Sequence, residues 1–206
     1  MRQPAGARLP RVAPSLPYSR PVVGDPYWLP PAFFQRPAEH VARDLLGKRL
    51  VRNMGGAVTG STVVETEAYV GPHDLACHAA RGRTARTEVM FGPPGTAYIY
   101  LIYGLHWMLN VVTGDEGYPA AVLIRGIDGV IGPGRVAAAL GITRTLNGAL
   151  CSPASGLWFE EIAERVPAGP ILKTPRVGID YAGPVWAAKK LRFVLQPRAR
   201  KRPRRS

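Results

Sequence analysis

Cysteine is nearly absent from this 206-residue chain: Cys77 and Cys151 are the only two, and they form no CxxC pair. That excludes a disulfide framework, and both are read as reduced side chains in or near the core. Histidine is scarce as well, at four residues. His73 and His78 could share a metal with Asp74, but no second ligand cluster supports this, so no metal is expected. No run of eighteen apolar residues occurs, and none of the chain is expected to span a membrane. The proline-rich N-terminal stretch has no apolar segment of the secretory kind, so a soluble, intracellular protein is expected. There is no GxxxxGK[ST] motif, which argues against a nucleoside-triphosphate site.

Acid is the other shortage. Asp and Glu number 14 against 27 Lys and Arg, for a net charge of +13. The excess is uneven. Residues 1–21 hold four arginines and no acid, and residues 197–206 hold six basic residues and no acid. Removing those ten charges from +13 leaves +3 for residues 22–196. Basic tails meet nucleic acid or another polyanion, or serve as solvated ends that aid solubility.

Hydrophobic content of 46% supports a sizeable core, and 23 Gly with 21 Pro imply many turns and few long helices. Residues 1–32 hold eight prolines and read as a disordered arm. Residues 33–196 read as one domain, and residues 197–206 as a basic tail. "RPAEHVARDLLGK" predicts a short helix with Pro37 in its first turn, Gly47 at its end, and Val41 and Leu45 inward. "KRLVRNM" and "AVTGSTVVETEAY" around Gly55-Gly56 predict a hairpin, and "TAYIYLIYG" with "LHWMLNVVTG" a second. "AAVLIRGI" predicts a strand and "GPGRVAAALGI" a helix, with "PRVGIDY" and "KLRFVLQ" as closing strands. The sum is an α+β single domain: a curved, mostly antiparallel sheet flanked by short helices, with a protruding hairpin.

Several residues could carry chemistry. In "TVVETEAYVG", alternation puts Val63, Glu65 and Glu67 on one face, with Tyr69 beyond them if the strand continues. Paired carboxylates suit acid–base work; they equally suit a strand end that pairs with arginine. The loop after Tyr69 packs Arg81, Arg83 and Arg86 into six positions, a pattern able to bind phosphates. His78 is a base reader or a structural tie. Arg125 ends an apolar strand and must find an anion or expose its head. Asn110 in "WMLNVV" is a satisfied core amide or a pocket residue. Gly104 after Tyr103 predicts a turn that puts Tyr103 at a hairpin tip.

"VVETEAYVGPHDLACH", "RGRTARTEVMFGPPGTAYIYLIYGLHWMLNVV", "AAVLIRG" and "GPGRVAAALGI" closely resemble the alkyladenine (3-methyladenine) DNA glycosylases, and "RVGIDYAG" with "LRFVL" matches that family's closing segment. The resemblance covers roughly residues 35–195, with the motifs in order. It implies a monofunctional base-excision glycosylase built on one curved antiparallel sheet, without metal or organic cofactor. The implied partner is double-stranded DNA containing alkylated purines. A monomer is expected, located wherever the DNA is.

By the same resemblance, Glu67 is the general base that activates water for attack on C1′ of the damaged nucleotide. Arg125 lies near that water and the flipped phosphate. Tyr69, His78 and Tyr100 enclose and hydrogen-bond the flipped base. Tyr103 fills the hole left in the duplex, and Asn110 meets the exocyclic amine of guanine and disfavours that base. A base in the stack must rotate out to be reached, at a cost of a few kcal/mol, and an aromatic wedge offsets part of this. A non-catalytic binding module on the same fold is disfavoured by the intact Glu67 and Arg125. A lyase-type glycosylase would need an amine in the pocket, and Lys48, Lys173, Lys189 and Lys190 lie outside the motif core. Three departures stand out: only "GIDGVI" separates the Arg125 strand from the next helix, "GALCSPASGLWFEEI" aligns poorly, and Lys190 replaces a usual proline. They predict a trimmed DNA-facing surface or an altered substrate range.

Overall fold

The structure, a computed structural model, describes residues 28–162 and 169–196. Most of the expected N-terminal arm and all of the basic tail lie outside the described residues. Trp28 forms a bridge with Glu160 and Leu29 is buried, so the folded body includes residues from Trp28 onward. A single turn, α1 (Pro31–Phe34), leads into α2 (Ala38–Asp44). Pro37 stands just before α2, where its fixed φ and missing N–H cost nothing, and Gly47 ends the segment at φ +85°. Val41, Ala42 and Leu45 are fully buried.

Among the described residues the sheet has nine strands, and every pairing is antiparallel. β1 (Arg49–Met54) and β2 (Ala57–Tyr69) form the first hairpin, β3 (Ala97–Ile102) and β4 (His106–Thr113) the second. β5 (Ala120–Ile127) joins β4 to β2, and the two-residue β6 (Val130–Ile131) folds back on it. The helix α3 (Pro133–Ala139) follows. β7 (Leu157–Glu160) pairs with β1, β8 (Ile171–Thr174) with β9 (Arg192–Leu195), and β9 with β2; α4 (Gly183–Ala188) precedes β9. β2 is the spine of the sheet: residues 57–62 pair with β1, while residues 63–69 pair with β5. The register shifts on either side of Glu65, and such irregularities bend and twist a strand.

Alternation divides the two faces. Ala97, Ile99, Leu109, Val111, Val122 and Ile124 join α2 and α3 in one hydrophobic core. Their neighbours Tyr98, Tyr100, Met108, Asn110, Ala121, Leu123 and Arg125 line a cavity on the opposite face. One face of the sheet therefore supplies most of the stabilising burial, about 1.5–3 kcal/mol for each large aliphatic side chain, with a smaller cluster of Tyr98, Ala121, Cys77 and Met90 on the other. The other is free to be concave.

One expected strand is absent. "PRVGIDY" forms a loop running into a 3-10 turn at Asp180–Ala182, and the strand of this region is β8, which ends just before it. Pro175 has no N–H to donate, Gly178 sits at φ +73°, and the Val177 N–H points to a carboxylate instead of a ladder. β7, inside the segment that aligned poorly, was not expected; all four of its residues are buried. Cys77 and Cys151 are free and buried.

Candidate active site

The cavity encloses about 220 Å³. That is below the ~300–1,000 Å³ of pockets for drug-sized ligands and suits a single small ring system. Three chain segments supply most of the residues that close it over the sheet, and Met90 and Pro133 complete the lining. Ala76, Cys77 and His78 come from the loop after β2, Val177, Gly178, Ile179 and Tyr181 from the loop after β8, and Tyr103 from the tip of the β3–β4 hairpin.

Glu65 and Glu67 share a face as alternation predicts and both meet Arg125, whereas Val63, expected beside them, joins the hydrophobic core because the register shifts between Val63 and Glu65. Arg125 Nε donates to Glu65 Oε1 at 2.9 Å and lies 3.4 Å from Glu67 Oε1. The two carboxylates differ in their other partners. Glu65 also has Arg192 Nε at 3.6 Å. Glu67 accepts the Val177 N–H on Oε1 at 2.8 Å and the Tyr69 hydroxyl on Oε2 at 3.0 Å. Burial pushes the Glu67 carboxyl above its ordinary range, against the opposing pull of Arg125 and the two hydrogen bonds. Glu67 is 0% exposed and lies behind the cavity wall, behind Tyr69, Arg125 and Val177, which all line the cavity. Tyr69 is held well above the usual phenol range, first by burial and then by the Glu67 charge.

The aromatic wall is continuous. His78 Nδ1 and the Tyr98 hydroxyl share a hydrogen bond of 2.9 Å. The His78 ring stands edge-on to Tyr100 at 4.5 Å between centroids, and Tyr98 and Tyr100 lie 5.4 Å apart. Burial, with Arg86 and Arg81 nearby, lowers the His78 pKa to about 4, so the ring is neutral at pH 7. Neutral imidazole offers one donor and one acceptor. Asn110 is buried opposite Tyr98 and gives one amide hydrogen to the Tyr98 carbonyl at 3.1 Å.

The three loop arginines separate. The Arg86 guanidinium sits 5.2 Å from the Tyr100 ring centroid, and Arg81 is close enough to act on His78. Arg83 is turned away onto Glu88, which it holds with Nε and Nη2 at 2.8 and 2.7 Å. His73 lies against Trp186, and Asp74 is taken by an arginine, so the grouping with His78 for a metal does not form.

Tyr103 occupies the hairpin tip and is 86% exposed. The Leu105 N–H closes the turn on the Ile102 carbonyl, and Tyr103 and Gly104 both have positive φ, +52° and +68°. Tyr103 is the one non-glycine residue with positive φ among the described residues, a conformation that costs of order 1–3 kcal/mol.

Sequence reasoning missed the loop after β8. Arg176 is buried, grips Asp74 with two nitrogens, and places its guanidinium 4.8 Å from the Tyr69 ring. Val177 supplies the backbone donor to Glu67. The signal was Pro175 and Gly178, which mark a loop rather than a strand.

Comparison with known proteins gives one answer. The family model described as methylpurine-DNA glycosylase matches residues 32–131 and 128–199. A protein of Myxococcus xanthus is 51% identical over 176 residues, covering 81% of this chain and 89% of its own. One from Methanocella arvoryzae is 46% identical over 179 residues, covering 75% and 86%, and one from Legionella pneumophila (strain Lens) is 42% identical over 179 residues, covering 82% and 94%. All three bear the name "Putative 3-methyladenine DNA glycosylase".

Proposed function

The chain belongs to the methylpurine-DNA glycosylase family, and on that footing we propose that it excises alkylated purines such as 3-methyladenine from double-stranded DNA by hydrolysing the N-glycosidic bond. The observation that carries this reading is the Glu67 carboxylate, desolvated, held by two donors and close to the Arg125 charge, at the back of an aromatic cavity.

Alkylation at N3 or N7 makes the purine cationic and a good leaving group. The walls of Tyr69, His78 and Tyr100 favour such a ring by cation–π attraction, on the order of 0.5–2 kcal/mol. Water attacks C1′ and loses a proton to Glu67; the C1′–N bond breaks and its electron pair neutralises the departing base. The raised affinity of Glu67 for a proton suits it to the role of base. Because the carboxylate lies behind the wall in the free protein, the flipped nucleotide must bring the water to the edge of the carboxylate that Arg125 approaches, with the Tyr69 and Val177 bonds kept. Catalytic hydrogen bonds commonly tighten only in the complex. Arg125 steadies the water and the flipped phosphate, Asn110 disfavours the amine of guanine, and Tyr103 stacks into the gap. Arg81 and Arg86 flank the cavity for phosphate contact, while Arg83 would first have to leave Glu88.

The reaction needs no amine nucleophile. Among the described residues no lysine lines the cavity; Lys48 is paired with Glu161, and Lys189 covers Trp186. The protein acts inside the cell, where duplex DNA is. The test is incubation with duplexes each bearing one damaged base, followed by alkali to cut abasic sites. Strand cutting that depends on an alkylated purine supports the reading, and cutting of none removes it.

A further inference from the structure

Asp74 and Arg176 form an ion pair in which both side chains are 0% exposed. Arg176 Nη1 donates to Asp74 Oδ2 at 2.5 Å and to the Ala68 carbonyl at 2.9 Å, and Nη2 donates to Asp74 Oδ1 at 2.8 Å. The Asp74 carboxylate also accepts the Val70 and Ala76 N–H groups at 3.2 and 3.0 Å, and its carbonyl accepts the Cys77 N–H at 2.8 Å. Neither residue lines the cavity, yet the residues they hold or adjoin do: Tyr69, Ala76, Cys77 and Val177. The pair thus ties together the end of β2, the His78 loop and the Val177 loop.

A buried ion pair is a weak source of stability, because desolvation offsets most of the attraction and apolar isosteres do as well. What an apolar pair cannot do is fix three backbone segments in direction. We infer that Asp74 and Arg176 are positioning residues for the reacting carboxylate: they hold the Val177 N–H on Glu67 Oε1 and brace the Tyr69 ring whose hydroxyl meets Oε2. This rests on the reading of Glu67 as the base. The groups that face Glu67 are Tyr69 on its own strand, Arg125 on β5, Tyr100 on β3, and Arg176 with the Val177 N–H from the loop. Arg192 stands opposite in register on β9 but directs its Nε to Thr174 and Glu65. The Arg176 charge and the Val177 N–H both favour ionised Glu67.

Two variants test this: Arg176→Lys, which keeps the charge but loses the fork, and the double Asp74→Asn/Arg176→Met, which removes both charges. Three readouts apply: hydrogen exchange of the Val177 amide, the pH profile of single-turnover excision of 3-methyladenine, and melting temperature. Both variants should lose Val177 protection by at least about tenfold while the Val122 and Ile124 amides stay slow. Excision should fall on the order of 10²-fold, as for a small misplacement of reacting groups. In the double variant the acid limb should also move up by roughly one pH unit, since Glu67 loses a favourable charge and a donor. Unchanged Val177 exchange, or lost protection with unchanged excision, would overturn the inference. Loss of the fold in both variants would also overturn it, by making the pair structural. If the unaltered chain excised no alkylated base, the glycosylase reading would fail, while Val177 exchange would still decide whether the pair positions the loop.

Discussion

Glu65 and Glu67 lie two residues apart on one strand face and touch the same arginine, yet their surroundings differ. Glu65 sits between Arg125 and Arg192, as a structural ion pair does. Glu67 is dry, faces a phenol and a backbone amide, and holds its proton more tightly than usual. His78 shows the opposite shift and gives a prediction at this scale. Its folded pKa is about 4 against an ordinary 6.5, so on acidification the unfolded chain takes the proton first. The stabilising contribution is therefore full above pH 6.5 and is lost as pH falls toward 4. Urea unfolding at pH 7 and pH 4.5 should show the unaltered chain losing about 1–3 kcal/mol more than His78→Asn, allowing for partial exposure. Parallel losses would mean that the histidine is not held neutral. Residue types were legible in the sequence where a motif stood on a strand, as with Glu67, Tyr69 and Arg125. Arg176 was not, because its partners lie more than a hundred positions away, and no local period records them.

Among elements, the β3–β4 hairpin most clearly joins sequence to function. Period-two alternation predicted it, since Tyr98 and Tyr100 face the cavity while Ile99 faces the core. The glycine at the tip predicted the turn. What the sequence could not show is that Tyr103 itself carries a positive φ. The strain and the exposure of that ring both argue that its place is set by what it meets outside the protein. Tyr103→Ala should leave the melting temperature nearly unchanged, because little area is buried. It should weaken the complex with a flipped lesion by about 1–3 kcal/mol, the usual worth of base stacking. The loss should be smaller for mispaired lesions, which cost less to extrude. A large drop in melting temperature with no dependence on the opposing base would make Tyr103 a structural residue. The "PRVGIDY" segment shows where element reasoning fails: an apolar-polar alternation reads as a strand, but proline and a captured amide make it a loop. β7 was hidden for the converse reason, its four buried residues having no alternation to read.

For the molecule as a whole, the sheet is a partition, with a helix-covered core on one side and an aromatic cavity on the other. Among the described residues no helix is long and apolar enough to cross a membrane. The body, residues 22–196, carries only +3 of the net +13, so non-specific attraction to DNA should reside largely in residues 1–21 and 197–206. Truncation to residues 28–196 should therefore flatten the salt dependence of binding to undamaged duplex, by about 0.9 in log–log slope for each phosphate that is no longer neutralised. Excision at saturating enzyme should change little. An unchanged slope would mean that these ends do not touch DNA. The central claim is that Glu67 activates the water that cuts the glycosidic bond, and single-turnover excision of 3-methyladenine from duplex DNA by Glu67→Gln tests it most directly. Loss of excision by roughly 10²–10⁴-fold, with lesion binding and melting temperature retained, is the result expected. Excision at a near-normal rate by that variant would contradict the account.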